Sequence, residues 1–278
     1  MQKKTILWST LLLSTVSYAT TPTLQVSYEI LDFDHSRKKD NGVREGVRFQ
    51  LKQEQNFYQV AYEHTHTDTF QPPLDRDLKV DKYYVNYTRE LDSDQSLSLS
   101  YATIDDNLME QTDGGDIYGL GYRYKAFSFK QYFSDYKHFD VYQSEAGYTI
   151  KKQYQEFKTS LTLIEKYIHL EDKESNNFSK NAKTDYFTTG IKLHAHYQGY
   201  QLGVGTFLGK RIFAVMNNGF KVQHHAMEFD KTYMCGIGKA FKWGGVHLKY
   251  VYQEATEVPI HNEGVTVQNL MMQVGYKF

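Results

Sequence analysis

An alternation of apolar and polar residues runs through almost the whole chain and restricts its fold more than any other feature. In the closing stretch NLMMQVGYKF, one side of an extended strand would carry Leu270, Met272, Val274, Tyr276 and Phe278, while the residues between them are mostly polar. A period of two residues is typical of β-strands whose two faces meet different surroundings. The pattern therefore predicts an all-β protein.

The same alternation recurs along the chain and is broken at regular places by clusters of Gly, Asn, Asp and Ser. The composition agrees with long strands, because the chain has 24 Tyr and 17 Phe but only 4 Pro. We count about fourteen strands, with 12 to 16 as the range that uncertain boundaries allow. The predicted strands are 23–34, 43–53, 57–68, 78–90, 95–104, 116–125, 127–136, 140–152, 156–169, 185–197, 200–213, 226–241, 245–256 and 265–278.

The connections between these strands alternate in length. Short turns such as LDSD and QG follow the even-numbered strands, and mostly longer segments such as DDNLMEQTDGGD follow the odd-numbered ones. Bacterial outer-membrane barrels show this asymmetry. A soluble β-sandwich would also alternate, but it has no reason to separate its loops by length. The sequence therefore predicts a transmembrane antiparallel up-and-down β-barrel, whose tilted strands need only about 9 to 11 residues to cross a bilayer.

The N-terminus predicts a secretory signal. A basic start with Lys3 and Lys4 precedes a short apolar stretch, and small residues precede a cut after Ala19. The apolar stretch is too short for a membrane-spanning helix, which needs roughly 20 residues. We therefore expect a cleaved signal peptide at 1–19 and a single barrel domain at 20–278.

The charge balance argues against nucleic acid as a partner. Removal of Lys3 and Lys4 from the 32 basic residues leaves 30 against 33 acidic residues, so the processed chain is slightly negative. The chain has a single cysteine, Cys235, and therefore no intrachain disulfide. No motif for a cofactor is present.

Together, the signal, the alternating strands and the terminal VGYKF resemble Gram-negative outer-membrane β-barrel proteins. In size and strand number the chain is most similar to the monomeric fourteen-stranded porins. The resemblance implies residence in the outer membrane, in contact with its lipid and lipopolysaccharide. It also implies that the barrel-assembly machinery reads the C-terminal strand, with Tyr276 and Phe278 in its signal.

With the apolar face turned to lipid, the polar face of each strand lines the lumen. More of the expected inward charges are basic than acidic, so the wall would concentrate anions. Alternatively, the charges pair with one another and hold the barrel round. Strand 127–136 assigns neither of its faces. The expected lumen residues are Glu29, Arg44, Arg48, Lys52, Glu63, Arg123, Lys125, Glu145, Lys151, Lys192, His194, His196, His247 and Lys249.

Two long loops have unusual compositions. Loop 105–116 contains only acidic charges, and its weak candidate Ca²⁺ ligands are Asp105, Asp106, Asp113 and Asp116, although such a loop can simply be solvated. Segment 214–225, AVMNNGFKVQHH, is apolar for a surface loop. It either folds into the bore as a constriction or extends its strands, and we favour the extension.

The predicted function is an outer-membrane porin for passive diffusion of small hydrophilic solutes, without enzymatic activity and without a cofactor. One alternative is a closed barrel whose long loops bind an external partner, as an adhesin or receptor would. Another is a hydrolase at the rim, built from DHS at 34–36 and EHTH at 63–66. The histidine pairs His64/His66 and His194/His196 each share a strand face but lack an obvious third metal ligand.

Overall fold

A computed structural model shows a closed barrel of fourteen antiparallel strands. The structure describes residues 22–72, 74–108, 112–173, 182–223 and 227–278, so the predicted signal peptide lies outside the described residues. The barrel strands are β1 (Thr23–Asp34), β2 (Lys39–Gln53), β3 (Asn56–Thr69), β4 (Leu78–Glu90), β5 (Gln95–Asp106), β6 (Asp116–Tyr124), β7 (Phe127–Asp135), β8 (Phe139–Tyr154), β9 (Phe157–Asp172), β10 (Asp185–Tyr197), β11 (Tyr200–Arg211), β14 (Met227–Phe241), β15 (Gly244–Glu257) and β16 (Asn262–Lys277).

Three shorter elements lie between β11 and β14, and one follows β15. Strands β12 (Val215–Met216) and β13 (Lys221–Val222) pair with each other around a 3₁₀ turn at Asn217–Gly219. A second 3₁₀ turn, Val258–Ile260, connects β15 to β16. No helix in the described part of the chain is long and apolar enough to cross a membrane.

The first and last strands close the barrel. β1 and β16 pair continuously from Thr23 opposite Lys277 to Asp34 opposite Thr266, and every other barrel strand pairs with its neighbours in chain order. This pairing leaves no strand edge exposed, which is the condition for a sheet to cross hydrocarbon. The predicted all-β, fourteen-stranded, up-and-down barrel is confirmed, and β1, β4 and β10 begin and end at the predicted residues.

One end of the barrel, which we call the turn end, carries only tight connections. Five of its six connections have two residues and the sixth, Leu91–Asp94, has four. The first residue of four of these turns has a positive φ, as hairpin turns that match strand twist require: Glu54 (53°), Lys125 (53°), Gln155 (52°) and Gln198 (47°). Lys125 therefore lies in a turn and not on the lumen wall, contrary to the prediction, because β6 already ends at Tyr124. We call the opposite end the loop end.

The outer surface of the barrel is an apolar belt. On β10, Phe187, Ile191, Leu193 and Tyr197 point outward and are exposed, as predicted. The structure also assigns the faces of β7, which the sequence left open: its phenylalanines point outward, whereas Lys130 points inward. A belt of exposed aliphatic and aromatic side chains around a closed barrel is stable in a lipid bilayer and not in water.

A polar rim bounds this belt at the loop end. On four strands that run from the turn end to the loop end, a tyrosine hydroxyl donates a hydrogen bond to a polar side chain of the next strand. The pairs are Tyr62 with Asp81 (2.6 Å), Tyr101 with Asp116 (2.7 Å), Tyr167 with Asp185 (2.5 Å) and Tyr250 with Gln268 (2.6 Å). Across β2 to β5, an outward polar row runs through Glu45, His64, Asp81 and Asp105, each opposite the next. Tyrosine is favoured where an apolar body must end in a wet tip.

Candidate functional site

The segment after β11 folds into the bore. We call residues 212–223 the inward loop. Its residues Ile212, Phe213 and Ala214 have no exposed surface, and Val215 is 1% exposed. The extension that the sequence favoured is therefore wrong, and the constriction is correct. The physical reason is apolar burial, since these side chains would be exposed to water in an extended hairpin. The predicted segment's His224 and His225 lie outside the described residues.

Hydrogen bonds from the barrel wall hold both sides of the inward loop. The Gln143 amide donates to the Val215 carbonyl (2.8 Å) and accepts from the Val215 N–H (2.8 Å). The Tyr84 hydroxyl donates to the carbonyl of Asn218 at the loop tip (2.7 Å). Asn217 and Asn218 have φ of 51° and 62°, a left-handed conformation that asparagine tolerates better than most residues. The loop is thus a fixed part of the lumen.

At the loop end, many of the inward side chains are apolar, which the sequence did not predict. Phe213 of the inward loop contacts Phe139 and Tyr136, with ring centroids 4.8 and 5.8 Å apart. Around them a buried cluster includes Leu78, Val80, Ile104, Ile117, Val141, Ile168, Leu170 and Tyr186. A second buried cluster across the bore consists of Leu31, Phe33, Met227, Phe229, Ala255, Val265 and Val267. This half of the bore is filled by side chains.

Buried carboxylates in the wall are paired with cations. Arg44 lies between Glu29 (2.8 Å) and Glu63 (3.3 Å), and Glu63 also contacts Lys82. Lys221 of the inward loop reaches the other oxygen of Glu29 (3.2 Å). For these residues, the alternative in which inward charges pair with one another holds. The network also ties the loop tip to β1 through Lys221.

A second carboxylate group sits on the opposite wall. Glu145 accepts from Lys130 (2.6 Å) and from Lys166, and Lys166 also donates to the Val215 carbonyl (3.3 Å). Lys82, Lys130, Lys166 and Lys221 were not among the predicted lumen residues. The strand period places Lys82 and Lys166 inward, so the sequence contained that signal, whereas Lys221 required the fold of the loop.

Several predicted cations have no acidic partner among the described residues. The Arg48 guanidinium lies over the Phe220 ring of the inward loop, 3.6 Å from its centroid. Arg123 donates to the Ser96 hydroxyl (3.2 Å), and within the described part of the chain no ion pair involves Lys192 or Lys249. The lumen below the loop therefore carries uncompensated positive charge.

Two cavities of about 400 Å³ each lie between the inward loop and the turn end. Lys192 and Asn217 line both of them. One brings together the predicted residues Lys192, His194, His196, His247 and Lys249. The other is lined by Arg123, Glu145 and Lys192 together with Lys130 and Lys166. Strands β10 and β15 thus place five of the predicted basic residues around one space.

Two further predicted residues lie at the mouth of the turn end. Lys52 is exposed and pairs with Glu90 (3.3 Å) on β4. Lys151 occupies an inward position near the end of β8 and is exposed. Both are at the outlet and not at the narrow part of the bore. At the same end, the outward rings of Tyr276 and Phe278 contact each other edge to face, 5.1 Å between centroids.

The candidate hydrolase residues serve other contacts. The Ser36 hydroxyl donates to Glu257 (2.6 Å), and the outward His64 pairs with Asp81 (2.8 Å). No described contact joins the DHS and EHTH segments.

Outside the strands, Lys173 pairs with Asp135 and Asp140, and the hydrogen bond to Asp135 raises the pKa of Lys173 above its ordinary value.

In the part of the acidic loop that the structure describes, candidate Ca²⁺ ligands make other contacts. The Asp113 carboxylate accepts from the Asp106 N–H (2.9 Å), and Asp116 accepts from Tyr101. Among the described residues, one group could hold a metal ion: His66, with Asp68 (3.3 Å) and Asp77 (3.8 Å), at the outer rim. These two aspartates are the third-ligand candidates that the sequence did not reveal for His66.

The fold is shared with solved outer-membrane proteins. The outer membrane protein Omp33 of Acinetobacter baumannii superposes with a TM-score of 0.50 at 10% sequence identity, over 93% of this chain and 99% of that chain. A bacterial polysaccharide outer membrane secretin gives a TM-score of 0.58 at 6% identity, over 92% of this chain and 98% of that chain. Neither name is that of an enzyme. No family model and no curated protein matches the sequence.

Proposed function

We propose that the protein is an outer-membrane channel for passive diffusion of small hydrophilic solutes, with a preference for anions. The observation that carries this proposal is the pair of cavities below the inward loop, where Lys192 and Lys249 have no described acidic partner. A low-dielectric wall with one sign of charge raises the local concentration of oppositely charged solutes. Arg48 and Arg123 add to the same field.

The apolar belt and the fold support the membrane location. A closed barrel with an exposed apolar surface needs acyl chains around it, and its polar rim suits contact with lipopolysaccharide head groups. The outward Tyr276 and Phe278 are the residues that we propose the barrel-assembly machinery recognises. Small hydrophilic solutes would diffuse through the barrel, and passive diffusion requires no cofactor.

The narrow part of the proposed path is the inward loop. Its backbone is hydrogen-bonded to Gln143 and Tyr84, and its apolar side chains fill the bore at the loop end. We therefore expect a low conductance in the described conformation. Passage would increase when residues 212–223 move away from the wall.

The proposal can be tested in planar bilayers. In a KCl gradient, the reversal potential of the wild-type protein should have the sign that indicates preferred passage of chloride. The double variant Lys192→Gln/Lys249→Gln should shift this reversal potential towards zero. Lys231→Gln is the matched control, because Lys231 pairs with Glu254 (2.8 Å) on the outer surface and its removal changes the net charge without touching the lumen. A wild-type protein that prefers cations would refute the anion preference.

One observation favours a second function, a closed barrel that presents its long loops to an external partner. The two buried clusters fill the loop end of the bore. Under this alternative, the protein would show no ohmic steps even after most of the inward loop is replaced by a short Gly-Ser linker. Conductance steps in that variant would exclude the alternative.

A further inference from the structure

A backbone irregularity directs Arg211 into the bore. The pairing of β11 with β14 shifts between Leu208 and Arg211, and Gly209 has a φ of 97°, which glycine adopts without strain. After this bulge, Lys210 contacts Glu228, whereas Arg211 points inward and has no exposed surface. β-Bulges commonly re-aim a side chain next to a functional site.

Aromatic rings and a hydroxyl surround the Arg211 guanidinium. Its central carbon is 5.7 Å from the centroid of Phe207 and 5.5 Å from that of Phe229. Nη2 donates to the Thr232 hydroxyl, but Nε and Nη1 have no hydrogen-bond partner among the described residues. Asp230 attracts the guanidinium electrostatically without forming an ion pair with it.

The Thr232 hydroxyl beside Arg211 already accepts two hydrogen bonds. The Thr232 oxygen accepts both from Arg211 and from the Gln253 amide (3.1 Å), so the Thr232 hydrogen is directed elsewhere. Two guanidinium nitrogens and one hydroxyl thus present N–H and O–H groups together. Such a set is complementary to an oxyanion.

Arg211 differs in this respect from three other buried cations of the wall. Arg44, Lys82 and Lys166 are all largely buried, and each contacts a carboxylate. A buried guanidinium cannot lose its proton, and an uncompensated buried charge costs several kcal/mol. Lys39 is likewise buried without an ion pair among the described residues, and its ammonium lies 5.6 Å from the centroid of Phe33. For Arg211, the described wall supplies no carboxylate at ion-pair distance, and Nε and Nη1 remain without a partner.

The Phe207 ring lies between Arg211 and one of the cavities. Phe207 lines one cavity, and Lys192 lies 5.4 Å from the centroid of the same ring. Gly190 gives this ring its place, because a Cβ there would collide with Phe207. Among the described residues, Arg211 lines neither cavity and has no exposed surface, so an anion in the cavity reaches it only when this ring moves.

We propose that Arg211, with the Thr232 hydroxyl, binds a small oxyanion, a carboxylate or a phosphate, that reaches it from the cavity at Lys192. The route rests on the proposed channel function, whereas the binding itself does not require conduction. Arg211 is then a specificity-determining residue of the solute path, in a position that the sequence prediction did not include.

The test is the thermal unfolding midpoint of purified, detergent-solubilised protein in chloride, acetate and phosphate at matched ionic strength. We expect acetate or phosphate to raise the midpoint of the wild type, and the anion affinity to fall at least tenfold in Arg211→Gln. This variant should also be as stable as or more stable than the wild type in chloride, because it removes an uncompensated buried charge. The two salts distinguish carboxylate from phosphate as the preferred anion.

The control and the second variant separate binding from folding. Lys231→Gln should keep the full anion response, and Thr232→Val, which retains the arginine, should weaken it. If Arg211→Gln does not fold, Thr232→Val alone decides the question. An equal anion response in the wild type and in the variants, or no response in the wild type, would overturn the proposal. Because this readout does not involve current, it stands even if bilayer recordings reject the channel.

Discussion

Replacement of Gln143 by leucine should release the inward loop. Leucine has a similar size but cannot form the two 2.8 Å hydrogen bonds that join Gln143 to the Val215 backbone. Each such bond contributes about 0.5 to 1.5 kcal/mol net, so the closed position of the loop should lose about 1 to 3 kcal/mol. Since 1.4 kcal/mol corresponds to a factor of ten, the population of the displaced loop should rise about 5- to 150-fold. The upper part of this range applies if the buried Val215 N–H finds no new partner.

Single-channel recording measures this change directly. Gln143→Leu should open more often, or to a higher conductance, than the wild type at the same voltage. Gln131→Leu is the matched control, because the Gln131 amide bonds to Ser144 (2.7 Å) on the outer surface of the adjacent strand and not to the loop. The control should reproduce wild-type openings.

Two outcomes would refute the gating role of the inward loop. If Gln143→Leu and a variant with most of residues 212–223 replaced by a short linker both conduct like the wild type, the inward loop does not limit passage. A lower unfolding midpoint in Gln143→Leu without any change in openings would likewise show that the bonds stabilise the fold and do not gate the bore.

Three further predictions concern the loop and its surroundings. Glu29→Gln should loosen the loop tip, because Lys221 loses its carboxylate partner (3.2 Å), and should increase the anion preference in reversal-potential measurements; an unchanged potential would contradict it. Asn218→Val should lower the free energy of unfolding by about 1 to 2 kcal/mol, since a β-branched residue is strained at a φ of 62°. A lower thermal unfolding midpoint would report this loss. Lys173→Met should lower the free energy of unfolding at pH 8 by less than about 1 kcal/mol, because the pair with Asp135 is largely solvated. The thermal unfolding midpoint at pH 8 measures this difference. Because the pKa of Lys173 is raised in the folded state, the stabilisation by Lys173 is complete below pH 10.5 and is lost as the pH rises through the folded-state pKa. The stability difference between the wild type and Lys173→Met should therefore shrink at high pH.

The strand pattern could be predicted because it depends on local sequence. The period of two residues fixes which side chains share a face, and tight turns fix where each strand ends, so even the bounds of β10 were correct. β7 shows where this fails. Its phenylalanines alternate with both Lys130 and Tyr132, so its faces were resolved only by its neighbours in the closed sheet.

The filled half of the bore could not be predicted in the same way. In β9, Ile164, Ile168 and Leu170 point inward while Leu163 points outward, so apolar residues occupy both faces and the period is lost. The contact that explains this, between the loop and the wall, joins Val215 to Gln143, 72 residues apart. Only the three-dimensional fold brings these segments together.

The charged wall was predicted by face but not by partner. The period placed Arg44, Glu29 and Lys192 inward, and the structure agrees. Which cations are neutralised depends on side-chain reach across strands, for example from Arg44 to Glu29 (2.8 Å), and on the fold of the loop that carries Lys221. For Arg211, the strand period alone could not indicate its surroundings, because the bulge at Gly209 changes the register.

The polar row at the loop end makes the height of the apolar belt uneven. On β10 the outward face from Phe187 to Tyr197, which Thr189 interrupts with a hydrogen bond to Glu165, extends about 33 Å along the strand and about 25 Å along the membrane normal. On β3 the belt runs only from Tyr58 to Tyr62 before His64, about 13 Å along the strand and about 10 Å along the normal. We expect the barrel axis to lean, or the surrounding leaflets to thin beside β3, so that short acyl chains solvate this side best.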